Sequence, residues 1–271
     1  MLELRDRVCD LLQEAATSII MPRFQNLHAD EVAAKTSATD LVTIADREAE
    51  RFLTERLSRL IDVPVVGEEA CSDHPALRAQ AGAECAWTID PIDGTNNFVK
   101  GRERFCTMVA LVANGTPTHS WIYQPLTKCL YYAAQGEGAV VIDDVSRSQT
   151  TLVARPTASD VDAMIGSGNT LGVTEPRKSV IADKLRGLGG RRFPGSAGIQ
   201  AVRIASGDED YMMHGNCTPW DHAPIDLLCR EAGAYAAMID TGAAFHAAGA
   251  GPFMVAASHD IWREMAETIW Q

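Results

Sequence analysis

The dipeptide Asn114-Gly115 separates two apolar runs, CTMVALVA before it and TPTHSWIY after it. Asn-Gly is the pair that best tolerates the positive φ angles of a two-residue hairpin turn, so the two runs are expected to pair as antiparallel strands. Short apolar runs broken by turn residues continue to residue 142, which predicts an antiparallel sheet over about 105–142. The chain before the sheet has a different period. Leu4, Val8, Leu11, Leu12, Ala15 and Ile19 recur at helical spacing, and Pro22 ends or bends that helix. Ala45, Ala49, Phe52, Leu53, Leu57, Leu60 and Ile61 form a second stripe with Thr43 as its cap. Residues 63–66 and 87–90 read as short buried strands, the first ending at Gly67-Glu68-Glu69 and the second at Pro91.

From about residue 160 onward, strands and helices alternate. Extended segments are expected at 163–167, 191–194, 211–214, 235–239 and 253–257. Helices are expected near 177–188 and 197–206, from Asp221 to a stop at Gly233, and around Ile261, Trp262, Met265 and Ile269. A Ser-, Thr-, Arg- and Asp-rich stretch at 145–160 marks the expected boundary between an α+β half, residues 1–150, and an α/β half, residues 151–271.

Composition narrows the function classes. The 271 residues are 46% hydrophobic and 22% charged, which suits a folded globule and argues against disordered or fibrous architectures. Lys and Arg number 24 against 36 Asp and Glu, a net charge of −12 with no basic block, so neither a nucleic-acid duplex nor an anionic membrane is an expected partner. Seven cysteines, at 9, 71, 85, 106, 129, 217 and 229, form an odd set without a CxxC pair and read as reduced thiols. The seven histidines also lack metal spacing, and for His214, His222 and the rest a solvated or structural role is expected. No window of 18 apolar residues occurs, and the first residues are charged rather than a basic stretch leading into an apolar run, so a cytoplasmic protein is expected.

Residues 89–95 read IDPIDGT, two carboxylates three positions apart at the end of an apolar strand. Such a density of hard oxygen ligands suits Mg²⁺, which favours carboxylates, water and phosphate over nitrogen or sulfur. Gly94 permits close backbone approach, and Thr95, Asn96 and Asn97 open a turn whose N–H groups suit a phosphate. An Asp-Pro turn with a capped helix is the plainer alternative. Residues 218–233, TPWDHAPIDLLCREAG, place Asp221 at a helix start, where a carboxylate gains ~0.3 to 1 kcal/mol from the dipole even without function. Glu68 and Glu69 on their own read as a solvated loop.

Taken in order along the chain, these segments resemble the inositol monophosphatase family of Mg²⁺-dependent, lithium-sensitive phosphomonoesterases. The likeness runs through Lys35 with DLVTIAD at 40–46, VVGEE at 65–69, WTIDPIDGTNNF at 87–98, PGSA at 194–197 and WDHAPIDLLCREAG. It implies an α/β (α+β) fold, the layered α-β-α-β-α sandwich of the sugar-phosphatase type, and a homodimer. In that reading residues 1–150 supply most metal ligands, and residues 151–271 supply Asp221 and the substrate wall. Glu68, Asp90 and the Ile92 carbonyl would hold a first Mg²⁺, Asp90, Asp93 and Asp221 a second, with a weaker third near Glu68. Carboxylates packed around one point repel strongly unless cations neutralise them.

The same resemblance makes Thr95, Asp46 and Glu68 the catalytic set that orients the attacking water. Gly94 and Thr95 N–H groups would hold the phosphate, and Lys35 would either lie near it or stand in solvent. Asp93, Ser196, Ala197, His214 and Asp221 complete the substrate side. One departure stands out. Inositol-specific members carry a glutamate seven residues before the motif aspartate, and here that position is His214. The expected substrate is a small phosphorylated alcohol, inositol monophosphate-like by the Asn96-Asn97 pair. Histidinol phosphate, fructose bisphosphate and 3′-phosphoadenosine nucleotides are alternatives. A regulatory binding protein built on the same fold is the reading from another class.

Overall fold

The computed structural model describes residues 2–34, 41–188, 190–191 and 194–270. Helix α1 (Leu2–Ala15) does not run unbroken to residue 20; its last turns widen into a π-helical segment, Ala16–Ile20, and tighten into a 3-10 turn, Met21–Arg23. Pro22 has no N–H to give an α-helical ladder, which accounts for the change of winding. Strands β1 (Val32–Ala34) and β2 (Leu41–Thr43) pair antiparallel and lead into α2 (Ile44–Leu60). Thr43 caps α2 as expected. Its hydroxyl accepts from Ala45 N–H and Asp46 N–H, while the Asp46 carboxylate accepts from Thr43 N–H, a reciprocal capping box.

Seven strands then form one sheet in sequence order: β3 (Val65–Gly67), β4 (Ala86–Asp93), β5 (Cys106–Ala113), β6 (Thr116–Gln124), β7 (Cys129–Ala134), β8 (Gly138–Asp143) and β9 (Gln149–Thr151). Only β3 and β4 run parallel; every other neighbouring pair is antiparallel. Asn114 and Gly115 take φ of 48° and 74° in the predicted hairpin turn between β5 and β6. Alternation along β5 sets the layering: Cys106, Met108, Ala110 and Val112 enter one core, and Val109 and Leu111 enter another with Val8, Leu12, Leu53 and Leu57 of α1 and α2. Pro91 does not end its strand. β4 continues to Asp93 because the register against β5 shifts between Asp90 and Asp93, and that irregularity accommodates a residue with no N–H for the ladder.

A five-stranded sheet comprises β10 (Ile165–Gly168), β11 (Gly190–Arg191), β12 (Tyr211–His214), β13 (Tyr235–Met238) and β14 (Phe253–Ala256), in the order β11-β10-β12-β14-β13. The first three strands are parallel, and β14 pairs antiparallel with β12 and β13. Helices α6 (Ala197–Ala205) and α7 (Pro219–Glu231) fill the space between the sheets, sharing a core with inward residues of both. On the far face, α5 (Arg177–Gly187) and α8 (His259–Met265) cover Tyr211, Met213, Met254 and Ala256. The layers therefore run α-β-α-β-α, as expected. Two short helices, α3 (Glu68–Asp73) and α4 (Thr95–Val99), begin where β3 and β4 end. Glu68 and Glu69 thus open a helix rather than a solvated loop, and Glu69 is buried. All seven cysteines are unpaired, and among the described residues no helix is long and apolar enough to cross a membrane.

Candidate active site

The middle helical layer and the end of β4 bring the acidic residues together. Trp87 and Ile89 point toward α1 and α2, so the alternate residue Asp90 points the other way, toward α7, where it is buried. Asp93 follows across the bulge. Gly94 then adopts φ +92° to start α4, and a Cβ there would sit 2.9 Å from Arg104 O and 3.2 Å from Gly195 O. Asn97, expected to open a phosphate-binding turn, braces that turn with its side chain: its Nδ2 lies 2.7 Å from Arg104 O and 2.8 Å from Pro194 O.

Asp221 sits in the first turn of α7, which begins at Pro219, two residues before the expected start. Thr218 Oγ1 donates to Asp221 Oδ2 at 2.6 Å. Arg78, which sequence reasoning did not single out, ties down the preceding loop by donating to Cys217 O and Gly249 O at 2.8 and 2.6 Å. One carboxylate oxygen from each of Asp90, Asp93 and Asp221 lies within 4.8 Å of the others. Burial, then the neighbouring charges of Glu68, Asp93 and Asp221, push the Asp90 carboxyl well above its ordinary range. Burial and Asp221 raise Asp93 to about 6, against the opposing pull of hydrogen bonds from Ser196, Gly198 and Ala197.

Ser196 Oγ and the Gly198 N–H donate to Asp93 Oδ2 at 2.5 and 2.6 Å, and the Ala197 N–H donates to Oδ1 at 3.1 Å. Ser196 and Ala197 thus spend these donors on Asp93, across the layer boundary from β4 to α6. By contrast, Asp90 Oδ1 is buried and has no hydrogen-bond partner among the described residues. An acceptor left bare beside two further carboxylates fits a hard divalent cation, which binds several carboxylate oxygens at once. Asp90, Asp93 and Asp221 could hold such an ion, with Glu68 at the mouth of α3 close enough for its charge to act on Asp90.

Thr95 Oγ1 lies 3.0 Å from the Ile92 carbonyl and 3.2 Å from Asp46 Oδ1, so its hydrogen has two acceptors in reach. Asp46 Oδ2 in turn accepts from the Thr43 hydroxyl at 2.5 Å and the Thr43 N–H at 2.8 Å. One turn along α2, buried Glu50 accepts from Glu69 N–H at 2.7 Å and Ala70 N–H at 2.8 Å, fixing the start of α3 and hence the place of Glu68. Gly67 makes room for it, since a Cβ there would lie 2.3 Å from Glu50 Cδ. Asp46 and Glu50, four residues apart beside the apolar stripe of α2, were the available sequence signal. Lys35 lies outside the described residues.

His214 ends β12 and is paired with His222 of α7, Nδ1 to Nε2, at 2.8 Å. Burial draws both imidazoles down to about 3. His222 is a fully enclosed partner, not a solvated side chain.

An acid cluster thus stands where the end of β4 meets the first turn of α7, inside a layered α/β fold shared with phosphatases. The model of the inositol monophosphatase family matches residues 3–269, and the chain belongs to that family. An inositol-1-monophosphatase, SuhB, of Mycobacterium tuberculosis is 33% identical over 86% of this chain and 79% of its own length. A putative Nus factor SuhB of Neisseria meningitidis is 28% identical over 77% of each chain. Among solved structures, inositol monophosphatase II from Staphylococcus aureus superposes with a TM-score of 0.81 at 24% identity, covering 100% of this chain and 94% of that one, a likeness of fold.

Proposed function

We propose that this phosphatase hydrolyses a small phosphorylated alcohol, inositol monophosphate-like in size, with two to three Mg²⁺ ions per subunit. The observation that carries this reading is the convergence of Asp90, Asp93 and Asp221 around an Asp90 oxygen that has no hydrogen-bond partner among the described residues. Bound Mg²⁺ supplies charge compensation for the phosphoryl and departing oxygens and makes water acidic enough to react. Glu68, Asp90 and the Ile92 carbonyl would hold one ion, and Asp90, Asp93 and Asp221 another.

The chain's own groups do the orienting. Thr95, held between Ile92 O and Asp46 Oδ1, is placed to receive a hydrogen bond from the attacking water and pass its own proton toward Asp46. Glu68 completes this set from the start of α3. The N–H groups of Gly94 and Thr95 open the turn that receives the phosphate. The Ser196 and Ala197 donors keep Asp93 facing the alcohol side, where His214 and Asp221 form the wall. Residues 1–150 would then bring most ligands and residues 151–271 the wall, in a cytoplasmic homodimer.

Phosphate release from a panel of phosphomonoesters, including inositol 1-phosphate, histidinol phosphate, fructose bisphosphate and a 3′-phosphoadenosine nucleotide, tests the reading. Turnover that requires Mg²⁺ and stops with chelator is expected; turnover unaffected by chelator would overturn it. The likeness to a protein named as a putative Nus factor favours a second reading, a regulatory binding role. The net charge of −12 turns that reading toward a protein partner rather than RNA. Retained partner binding by a catalytically dead Asp90→Asn protein would support it.

A further inference from the structure

Strands β10 and β12 are parallel neighbours, yet the chain leaves their carboxyl ends toward opposite faces of the five-stranded sheet. From β10 it turns to α5 on the far face, and from β12 to α7 between the sheets. Neighbouring strands whose connections part in this way leave a crevice beyond their ends, the usual place for a ligand in an open α/β sheet. A cavity of about 330 Å³ lies at the β10 end of that crevice, between residues 168–171 and α5, at the small end of the range for small-molecule sites. Lys178, Ala182 and Arg186 line it at four-residue intervals, so they stand in line along α5 with the two cations about 12 Å apart and the small alanine between them. In a chain of net charge −12, both charged side chains that line this cavity are basic. Lys178 has no carboxylate partner among the described residues, and Arg186 has only an exposed pairing with Asp183, which is too weak to hold it against a bound anion. Leu185 joins Ala182 as an apolar floor, and Leu171, 72% exposed, stands at the rim. Asn169 ties the cavity to the wall of the candidate active site: its N–H donates to Met213 O at 2.8 Å and its Oδ1 accepts from Gly215 N–H at 3.3 Å, one on either side of His214.

We propose that this cavity binds a small molecule in which a phosphoryl group is joined to an apolar body, the anion between Lys178 and Arg186 and the apolar part over Ala182, Leu185 and Leu171. The occupant is a molecule separate from the substrate. Helix α5 covers the far face of the sheet, whereas His214 turns to His222 of α7 on the other face, where the acid cluster lies. An occupant that fastens residues 168–171 also fastens, through Asn169, the strand end that carries His214. Binding stands independently of the phosphatase reading, and only its consequence for turnover rests on that reading.

Phenylphosphonate, an apolar ring carrying an anion that cannot be hydrolysed, is the probe, titrated by calorimetry into the full chain in chelator near neutral pH. Without cations the acid cluster repels an anion, so it contributes no binding of its own. Saturable binding is expected, with nitrogen-15 amide shifts centred on residues 168–171 and reaching Met213 and Gly215. Methylphosphonate, which lacks the ring, should bind more weakly. Lys178→Ala and Arg186→Ala should each weaken binding about tenfold, the scale of one lost charge-assisted hydrogen bond. Ala182→Trp, which fills the cavity and keeps its charge, should abolish binding. With Mg²⁺ restored, all three variants should turn over glycerol 2-phosphate as the parent does. No saturable binding, equal affinity in the parent and the variants, or shifts centred on residues 90–97 would overturn the proposal. A KM for fructose bisphosphate raised only in the Lys178 and Arg186 variants would place the substrate's second phosphate in the cavity and overturn a separate occupant. Absence of turnover on every phosphomonoester would instead overturn the phosphatase reading and leave the binding result standing.

Discussion

Thr95 Oγ1 and Asp46 Oδ1 lie 3.2 Å apart and join the first turn of α4 to the first turn of α2. Because Thr43 already supplies two donors to Asp46 Oδ2, the other oxygen is oriented toward Thr95. Thr95→Ala should therefore lower kcat by ~10² to 10⁴ while leaving the Mg²⁺ concentration dependence nearly unchanged. Thr95→Ser should recover most of the loss. Steady-state kinetics at several Mg²⁺ concentrations checks this; a raised KM with intact kcat would mean that Thr95 only holds the phosphate.

Asp90→Asn removes one charge from a buried group of acids and should abolish turnover. The same change relieves repulsion, so in chelator the variant should melt at a higher temperature than the parent. Thermal unfolding with and without Mg²⁺ provides the comparison. Turnover within tenfold of the parent would remove Asp90 from the metal site.

With chelator present, the folded protein binds protons on Asp93 up to about pH 6, whereas an unfolded chain releases them near the ordinary aspartate value of 3.8. The folded state thus holds more protons between those values, and stability must fall as pH rises through that interval. Asp90 is shifted in the same direction and extends the fall upward. The melting temperature in chelator should drop steadily from pH 4 to above pH 6. Saturating Mg²⁺, which favours the ionised carboxylates, should flatten or reverse that slope.

Glu50→Ala strands two N–H groups at the start of α3, one buried and one half-buried, and should cost ~1 to 3 kcal/mol in denaturant unfolding. Since those bonds fix the helix that begins with Glu68, the variant should also need more Mg²⁺ for half-maximal activity. A stability loss with unchanged Mg²⁺ dependence would confine Glu50 to the fold.

His214→Glu places a carboxylate acceptor at position 214 and should raise kcat/KM for inositol 1-phosphate relative to fructose bisphosphate, by ~1 to 3 kcal/mol in the ratio. Glycerol 2-phosphate, too short to reach that wall, is the control. A uniform change on all three would show that residue 214 disturbs the acid cluster instead.

The hairpins and the α2 stripe were legible because their information is local: period-two burial, an Asn-Gly turn, and a capping threonine. Helix α7 was legible in position but not in surroundings. Residues 222–229 are buried in succession, so there is no one-sided stripe to show that two sheets enclose it. Pro91 misled for a similar reason, since only the partner strand shows that the register can shift around it. The motif acids stood out by residue type and spacing. Their supports did not: Glu50 reaches α3 nineteen residues on, Arg78 reaches two carbonyls 139 and 171 residues on, and His222 reaches a different element. Glu68 and Glu69 read as solvent-facing because nothing near them in the chain reveals the buried carboxylate that receives their helix.

Asp221 rides on the first turn of a helix whose body is wedged between the two sheets, while Asp90 and Asp93 belong to one of those sheets. The gap between the three oxygens is consequently a gauge of the sheet-to-sheet distance. Selection among divalent ions of different radius then depends on side chains such as Leu227 and Leu228 that never approach an ion. Loosening the packing beneath α7 would first be felt as a shift in tolerance from the small Mg²⁺ toward larger cations, well before the molecule came apart.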